Sequence, residues 1–288
     1  MEVKYSASIL KKEQLAAVSN YGIDRIYIPY DMFYTGQTDI HDIDFLHHDR
    51  EIDVYLSLPR IIRKRDDEYL KSLASFLMLG KADGLLVKSI DGLGFVQSLK
   101  DDLDKQFISI NGEREGFTPL YIHADHSLYT WNTSALDFNR EFTCRQTAAT
   151  ELNIHELKEL NDRDITCVIY GRVPLMISAG CVKKTTGNCE PDKVYDFEWK
   201  LIDRKNRTSL VYNNCIHCYN EIFNSVPTSL HKYIPELIKA GFYDFRLDFT
   251  DESIDRIDQI LGYYITEQRS SDLVMPDHTA AHFSKGVL

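Results

Sequence analysis

The chain has 288 residues, and its 44 acidic side chains outnumber its 33 Lys and Arg side chains, which gives a formal charge of −11. With 43% hydrophobic and 27% charged residues, the composition is that of a folded globular protein and excludes a disordered or fibrous chain. An acidic surface argues against general binding to nucleic-acid backbones or anionic membranes, which requires clustered cations. No long apolar run is present, so we expect no membrane-spanning helix and no membrane partner.

Compartment and cysteine chemistry are linked in this sequence. The amino-terminal stretch MEVKYSASILKKEQ lacks the apolar core of a signal peptide, so we expect a cytoplasmic protein. In that compartment the six cysteines are expected to stay reduced or to bind metal.

Eight apolar runs, most of them followed by an amphipathic segment, set the rhythm of the chain. Several runs are rich in β-branched and aromatic residues, as expected for strands buried on both faces. The segments between them have the apolar spacing of helices. The predicted strands are Val3 to Ile9, Ile23 to Tyr30, Asp53 to Pro59, Asp83 to Ser89, Pro119 to Asp125, Phe142 to Ala149, Ile165 to Gly171 and Phe242 to Phe249.

Alternating strands and helices indicate a parallel sheet. Eight such units in a chain of this length predict a closed (β/α)8 barrel of the TIM type, with an open doubly wound sheet as the alternative. No G-x-G-x-x-G follows the first strand, which counts against a dinucleotide-binding version of the open sheet. Because no linker is visible, residues 1–288 are predicted to form a single barrel-like domain.

A long insert, at about residues 172–230, follows the seventh predicted strand. Within it, Glu198 to Asp203 and Thr208 to Asn213 predict the two strands of a hairpin, with the turn at Arg204 to Arg207. In a barrel of this type the loops that follow the strands build the active site. The insert is therefore where we expect the chemistry of the protein.

Four of the six cysteines lie in this insert and flank the predicted hairpin. Cys181 and Cys189 precede it with C-x7-C spacing, and Cys215 and Cys218 follow it as C-x2-C. The hairpin is expected to bring the two pairs into one site at the carboxyl-terminal mouth of the barrel. Four thiolates suit zinc or an iron–sulfur cluster rather than a hard cation. Four free cysteines are the alternative, but the surrounding segments are polar and do not resemble a core.

The other residues near this motif are given structural interpretations. His217 lies between Cys215 and Cys218 and could replace a thiol ligand, although a surface position is the simpler interpretation. Cys144 and Cys167 lie inside apolar runs and are predicted to be packed in strands.

Polar residues at the predicted strand ends are candidates for catalysis. His123 and Asp125, followed by His126, end the fifth strand and could bind a divalent metal or transfer protons, or form a hydrogen-bonded cluster. Arg172 follows the seventh strand and could hold an anionic substrate group or form a structural salt bridge. Lys88, at the end of the fourth strand, could form a Schiff base, but the sequence identifies no companion acid.

Several motifs resemble peptidase family U32, the collagenase-like proteases. They fall in the same order as in the long members of that family, and the resemblance is to the second half of those members. It therefore implies a partner domain or protein that supplies the family's amino-terminal half. The motifs are YGRVPLMISAGC at 170–181, LIDRKN at 201–206, CYNEIFNSVPTSL at 218–230, FRLDFTDE at 245–252 and HTAAHFSKGV at 278–287.

The resemblance also implies alternatives for the function. Met176 stands where the first cysteine of the family signature is expected, which argues against strong protease activity. Relatives with four cysteines imply a [4Fe–4S] cluster here, with zinc as the alternative, and a role in hydroxylation of RNA or another aromatic substrate. Hydrolysis of collagen-like peptides and a non-catalytic role in substrate binding or assembly are the other two hypotheses.

Overall fold

The computed structural model describes residues 2–103, 108–110, 118–189, 195–266, 277–283 and 286. Eight parallel strands form a closed barrel in which each strand pairs with two neighbours. The strands of the chain are β1 Lys4–Ser8, β2 Arg25–Pro29, β3 Asp53–Ser57, β4 Gly84–Val87, β5 Ile108–Ile110, β6 Thr118–Ala124, β7 Arg145–Thr147, β8 Ile165–Gly171, β9 Pro174–Ser178, β10 Tyr195–Ile202, β11 Thr208–Asn214, β12 Tyr219–Phe223, β13 Thr228–Ser229 and β14 Asp244–Asp248.

Helices connect the successive barrel strands, so the (β/α)8 prediction is confirmed. The barrel runs β1, β2, β3, β4, β6, β7, β8 and β14. Seven of these strands lie within their predicted runs, and β6 begins one residue before its predicted run, at Thr118. The helices are α1 Glu13–Val18, α2 Tyr30–Tyr34, α3 Ile40–Arg50, α4 Asp67–Leu77, α5 Ile90–Leu103, α6 Thr133–Arg140, α7 Ile154–Glu159, α8 Val182–Thr185, α9 Ile234–Lys239 and α10 Ile254–Ile265.

The helices bury one face against the barrel. In α4, Tyr69, Leu73 and Leu77 are spaced four residues apart and are all buried, which is the helical spacing that the sequence showed. Strands β2 and β4 are buried along their whole length, as expected for a parallel sheet covered by helices. None of the helices among the described residues has the length and apolar character needed to cross a membrane.

The insert after β8 folds into a second, antiparallel sheet with the order β10, β11, β12, β9. Strands β10 and β11 pair as the predicted hairpin, with Ile202 opposite Thr208. Strands β9 and β12 were not predicted. They pair with each other, with Ser178 opposite Asn220, and close the insert into a four-stranded sheet.

Gly171 is required where β8 ends and the insert begins. Its φ is +141°, and a Cβ atom at this position would lie 2.5 Å from the carbonyl oxygen of Asp248 on the neighbouring β14. Only glycine allows this backbone direction and this close approach together. The residue therefore fixes where the chain leaves the barrel mouth.

The carboxyl-terminal segment, residues 277–283, docks beside β13. Thr279 pairs with Thr228, and its carbonyl oxygen accepts a hydrogen bond from the Ser229 amide at 2.9 Å. Phe283 is buried beside Tyr233, with 4.8 Å between the ring centroids. This segment thus packs beside β13 and the start of α9.

Acidification is expected to weaken the docking of this segment through His231. The His231 ring stands 4.8 Å from the His278 ring, and its Nδ1 lies 2.9 Å from Ser229 Oγ. Burial, assisted by His278 and Lys232, lowers the pKa of His231 from 6.5 to about 4. The folded state binds a proton at His231 less tightly than the unfolded state does. The contribution of neutral His231 to the free energy of unfolding is therefore complete above pH 6.5 and declines as the pH falls from 6.5 to about 4.

Thermal unfolding measured across that range tests this expectation. His231→Asn should lose less stability than the wild type between pH 6.5 and pH 4, whereas His48→Asn, on the exposed face of α3, should follow the wild type. Equal pH profiles for the wild type and His231→Asn would contradict the assignment.

Candidate functional site

The insert sheet lies across the carboxyl-terminal mouth of the barrel and is held to the loop that follows β3. Arg60 Nε donates to Glu221 Oε2 of β12 at 2.8 Å, and both side chains are nearly buried. Arg63 Nη2 donates to the carbonyl oxygen of Ala179 at 2.9 Å, just after β9. These two arginines hold the neighbouring strands β12 and β9 of the insert sheet over the barrel.

The turn between β11 and β12 is anchored by His217. Its Nε2 lies 3.2 Å from Asp31 Oδ1, and its Nδ1 lies 3.2 Å from Asp66 Oδ2. Burial alone would lower the pKa of His217, but the hydrogen bond and charge of Asp31 and the charge of Asp66 raise it above its usual value. The prediction of a surface position is wrong, because His217 is fully buried. The turn that carries Cys215 and Cys218, here called the cysteine turn, packs against the segments that follow β2 and β3.

Cys181 and Cys218 are brought to the same end of the insert sheet. The Asn220 side chain, two residues after Cys218, donates to the carbonyl oxygen of Gly180 at 2.6 Å and accepts from the Val182 amide at 3.4 Å. The residues on both sides of Cys181 are therefore tied to the start of β12. The antiparallel pairing of β9 with β12 brings the segments that carry these two cysteines to one end of the sheet.

The Cys215 thiol lies within electrostatic reach of the other three insert cysteines. Burial raises the pKa of the Cys215 thiol, Lys183 opposes this, and negative charge on Cys181, Cys189 and Cys218 raises it further. Lys183 is itself buried, so a cation accompanies the thiols.

The chemistry of these side chains fits a soft metal, but their positions do not yet form a ligand set. All four thiols are free; Cys181 and Cys215 are buried, Cys218 is half-buried and Cys189 is exposed. Within the described ranges, no group of three or more His, Cys, Asp or Glu side chains is arranged to hold a metal ion. Ligation would therefore require these thiols to approach more closely than they stand.

The two remaining cysteines have different surroundings. Cys167 is buried in β8, as predicted. The prediction for Cys144 is wrong: it is exposed, because β7 begins only at Arg145 and the weak sixth run is shorter than its sequence suggested.

Asp125 is the centre of the charge network in the barrel mouth. Its Oδ1 accepts from Arg246 Nη2 at 2.7 Å, and its Oδ2 accepts from Ser127 Oγ at 2.7 Å and lies 3.7 Å from Arg60 Nη2. Burial would raise the pKa of Asp125, but its neighbours His126, Arg246 and Arg60 hold the pKa well below its usual value. Asp125 is therefore an ionised, fully paired carboxylate.

Arg246 points into the barrel and binds Asp248, which lies two residues later on the same face of β14. The Arg246 Nε lies 2.8 Å from Asp248 Oδ1. Together with the pairs described above, this gives an unbroken row of alternating charges that runs from Glu221 through Arg60, Asp125 and Arg246 to Asp248.

His123 takes part in a different network, deeper in the barrel. Its Nδ1 lies 3.0 Å from the Tyr27 hydroxyl, and its ring stacks on Tyr55 with 4.0 Å between centroids. Burial, followed by the charges of Arg25 and Arg145, lowers the pKa of His123 well below 6.5. The ring is therefore neutral at physiological pH.

Arg172 binds protein groups in this structure. Its Nε donates to Asp251 Oδ1 at 3.1 Å, and its Nη1 donates to the carbonyl oxygens of Asn224 and Ser225 at 3.0 and 2.6 Å. These contacts join the start of the insert to its end and to the loop after β14.

A cavity of about 50 Å³ lies between the barrel mouth and the insert sheet. Arg60, Lys88, Asp125, His126 and Glu221 are among the side chains that line it. The sequence analysis did not single out Arg60 or Glu221. Arg60 directly follows the third predicted strand and could have been found from that position, whereas Glu221 lies on an unpredicted strand.

These features define a class: a (β/α)8 barrel whose seventh loop carries a cysteine-bearing antiparallel sheet over the carboxyl-terminal mouth. The model of peptidase family U32 matches residues 10–270, and the chain belongs to this family. No curated protein matches the chain.

Solved structures with a similar fold have little sequence in common with this chain. The carboxyl-terminal domain of a putative chitinase from Desulfitobacterium hafniense DCB-2 is 9% identical, with coverage of 93% of this chain and 99% of that one and a TM-score of 0.44. The chitinase RmChi1 from Rhizomucor miehei is 12% identical, with coverage of 89% and 99% and a TM-score of 0.41. A xylose isomerase-like TIM barrel/4-hydroxyphenylpyruvate dioxygenase fusion protein is 10% identical, with coverage of 97% and 46% and a TM-score of 0.37. At these values the similarities carry no inference about activity.

Proposed function

We propose that this chain is an iron–sulfur protein of the U32 family that supports hydroxylation of RNA or another aromatic substrate. In this proposal Cys181, Cys189, Cys215 and Cys218 hold a [4Fe–4S] cluster, with zinc as the alternative. The observation that supports it is that the segments carrying Cys181 and Cys218, far apart in the sequence, are joined through the Asn220 side chain at one end of the insert sheet. The resemblance to four-cysteine relatives supplies the reaction class and the partner domain or protein.

The surrounding residues have definable roles in such a site. His217, clamped between Asp31 and Asp66, fixes the turn that carries the C-x2-C pair. Lys183 offsets part of the negative charge that thiolates acquire when they bind a soft metal. A bound cluster would supply one-electron transfer, which zinc does not.

Metal analysis of the protein purified without oxygen tests the proposal. We expect iron and sulfide, or zinc, in the wild-type protein, and a fall to background in Cys218→Ser. Cys167→Ser is the matched control and should retain the metal, because Cys167 is buried in β8. A wild-type protein free of iron and zinc, or equal retention by Cys218→Ser, would contradict the proposal.

Peptide hydrolysis is the weaker candidate for this chain. A peptidase requires an activated nucleophile, a metal-bound water or a pair of carboxyl groups. Asp125 is held by Arg246 and Ser127, and His123 is buried against Tyr27 and Tyr55, so neither is poised to activate water. We expect weak or absent cleavage of gelatin by the purified protein. Robust cleavage that is lost in both His123→Gln and Asp125→Asn, with folding retained, would make peptide hydrolysis the preferred function.

A further inference from the structure

Lys88 occupies a fixed position at the mouth of the barrel. It directly follows β4, and its carbonyl oxygen accepts a hydrogen bond from Ser127 Oγ at 2.8 Å. Its side chain lines the cavity of about 50 Å³ beneath the insert sheet. Catalytic groups of (β/α)8 enzymes lie at this end of the strands.

The Lys88 amine has unused hydrogen-bonding capacity. Its Nζ lies 3.3 Å from Ser57 Oγ, and among the described side chains no carboxylate lies within 4.0 Å of it. The other cations that line the cavity, Arg60, Arg172 and Arg246, each bind a carboxylate. An ammonium group has three donors, and Ser57 engages only one of them.

The surroundings of Lys88, a half-buried residue, shift its amine toward the neutral, nucleophilic form. Burial lowers the pKa of Lys88 and the charges of Arg60 and Arg246 lower it further, while Asp125 and Glu221 oppose them. A lysine that is desolvated and placed beside other cations is the usual arrangement for an amine that attacks carbonyl carbon.

We propose that Lys88 is the reactive amine of a site that binds a small aldehyde or ketone and forms a Schiff base with it. The cavity is several times the volume of about 10–15 Å³ that one water needs, so it suits a carbonyl compound of a few heavy atoms. This site is separate from the cysteines and does not depend on the proposed metal.

The chemistry balances without any further reactant. The Nζ lone pair forms a bond to the carbonyl carbon, the carbonyl π electrons move to oxygen, and a proton passes from nitrogen to that oxygen to give a carbinolamine. Loss of the hydroxyl group as water, with a second proton from nitrogen, then forms the C=N bond. His126 lines the same cavity and can relay these protons, since burial lowers its pKa below 6.5 and leaves a neutral ring.

Reductive trapping tests the proposal. The full-length protein is incubated with glyoxylate and sodium cyanoborohydride, and adducts are located by peptide mapping with mass spectrometry. We expect the peptide that contains Lys88 to be labelled faster than any other lysine peptide. Labelling of the Lys88 peptide should vanish in Lys88→Arg. Lys81→Arg is the control, because Lys81 Nζ binds Asp44 Oδ1 at 2.6 Å, and labelling of the Lys88 peptide should persist in it.

The outcome in the wild-type protein alone is decisive, so a folding defect in a variant does not weaken the test. Labelling of Lys88 no faster than that of exposed lysines would overturn the proposal. Labelling at a different lysine in the mouth would overturn it as well. Cysteine substitutions that remove the metal should leave trapping at Lys88 unchanged, which separates this site from the proposed iron–sulfur function.

Discussion

Arg246→Met is expected to lower the free energy of unfolding by about 3–5 kcal/mol, the usual cost of removing one partner from a buried ion pair. Arg246 is 1% exposed and is shared between Asp125 and Asp248. Methionine keeps much of the side-chain volume but removes the nearer ion-pair partner of Asp125 and leaves Arg60, at 3.7 Å, as its Arg partner among the described residues. The cost is therefore electrostatic rather than a matter of packing.

Urea unfolding of two comparison variants isolates this effect. Arg207→Met removes an exposed ion pair with Asp203 and should change the free energy of unfolding far less. Adding Asp125→Asn to Arg246→Met should recover part of the loss, because it removes a buried carboxylate that has lost its nearer ion-pair partner. A cost below about 1 kcal/mol for Arg246→Met would show that the charge row does not stabilise the barrel.

His217→Leu is expected to be comparably damaging, with a loss of about 3 kcal/mol, because it leaves two buried carboxylates without their shared partner. Asp31 retains hydrogen bonds from Tyr69 and Asn214, at 2.8 and 2.7 Å, so part of its desolvation remains compensated. The loss should be concentrated where the cysteine turn meets the barrel. Hydrogen exchange of residues 214–220 should therefore accelerate more than exchange in β2 or β4.

A second histidine serves as the control for that variant. His48→Leu, at an exposed position of α3, should change neither the unfolding free energy nor the exchange of residues 214–220 by a measurable amount. Unchanged exchange at the turn in His217→Leu would mean that His217 does not anchor the insert.

The barrel itself was predictable from the sequence. Strands such as β2 and β4 are buried on both faces, and this requires short continuous apolar runs that stand out in the chain. The helix α4 repeats its apolar residues at helical spacing, and the break after β8 located the insert. The hairpin of β10 and β11 was recognisable because its turn residues are polar and local.

Strands β9 and β12 escaped prediction because the polarity of their residues does not match their burial. In β9, the consecutive residues Leu175, Met176 and Ile177 are all exposed, so the strand has no alternation of buried and exposed positions. β12 contains Asn220 and Glu221, which are buried only because they bind partners on other elements. No local sequence rule gives that result.

By itself, the sequence determined the (β/α)8 architecture, the place of the insert and the grouping of four cysteines around a hairpin, because these follow from spacing along the chain. Only the tertiary structure decided which charges meet. His217 pairs with Asp31, 186 residues away in the sequence, and Arg246 pairs with Asp125, 121 residues away. Such pairs form because a buried charge must be compensated wherever the fold brings a partner within reach, and that position depends on the packed barrel rather than on neighbouring residues.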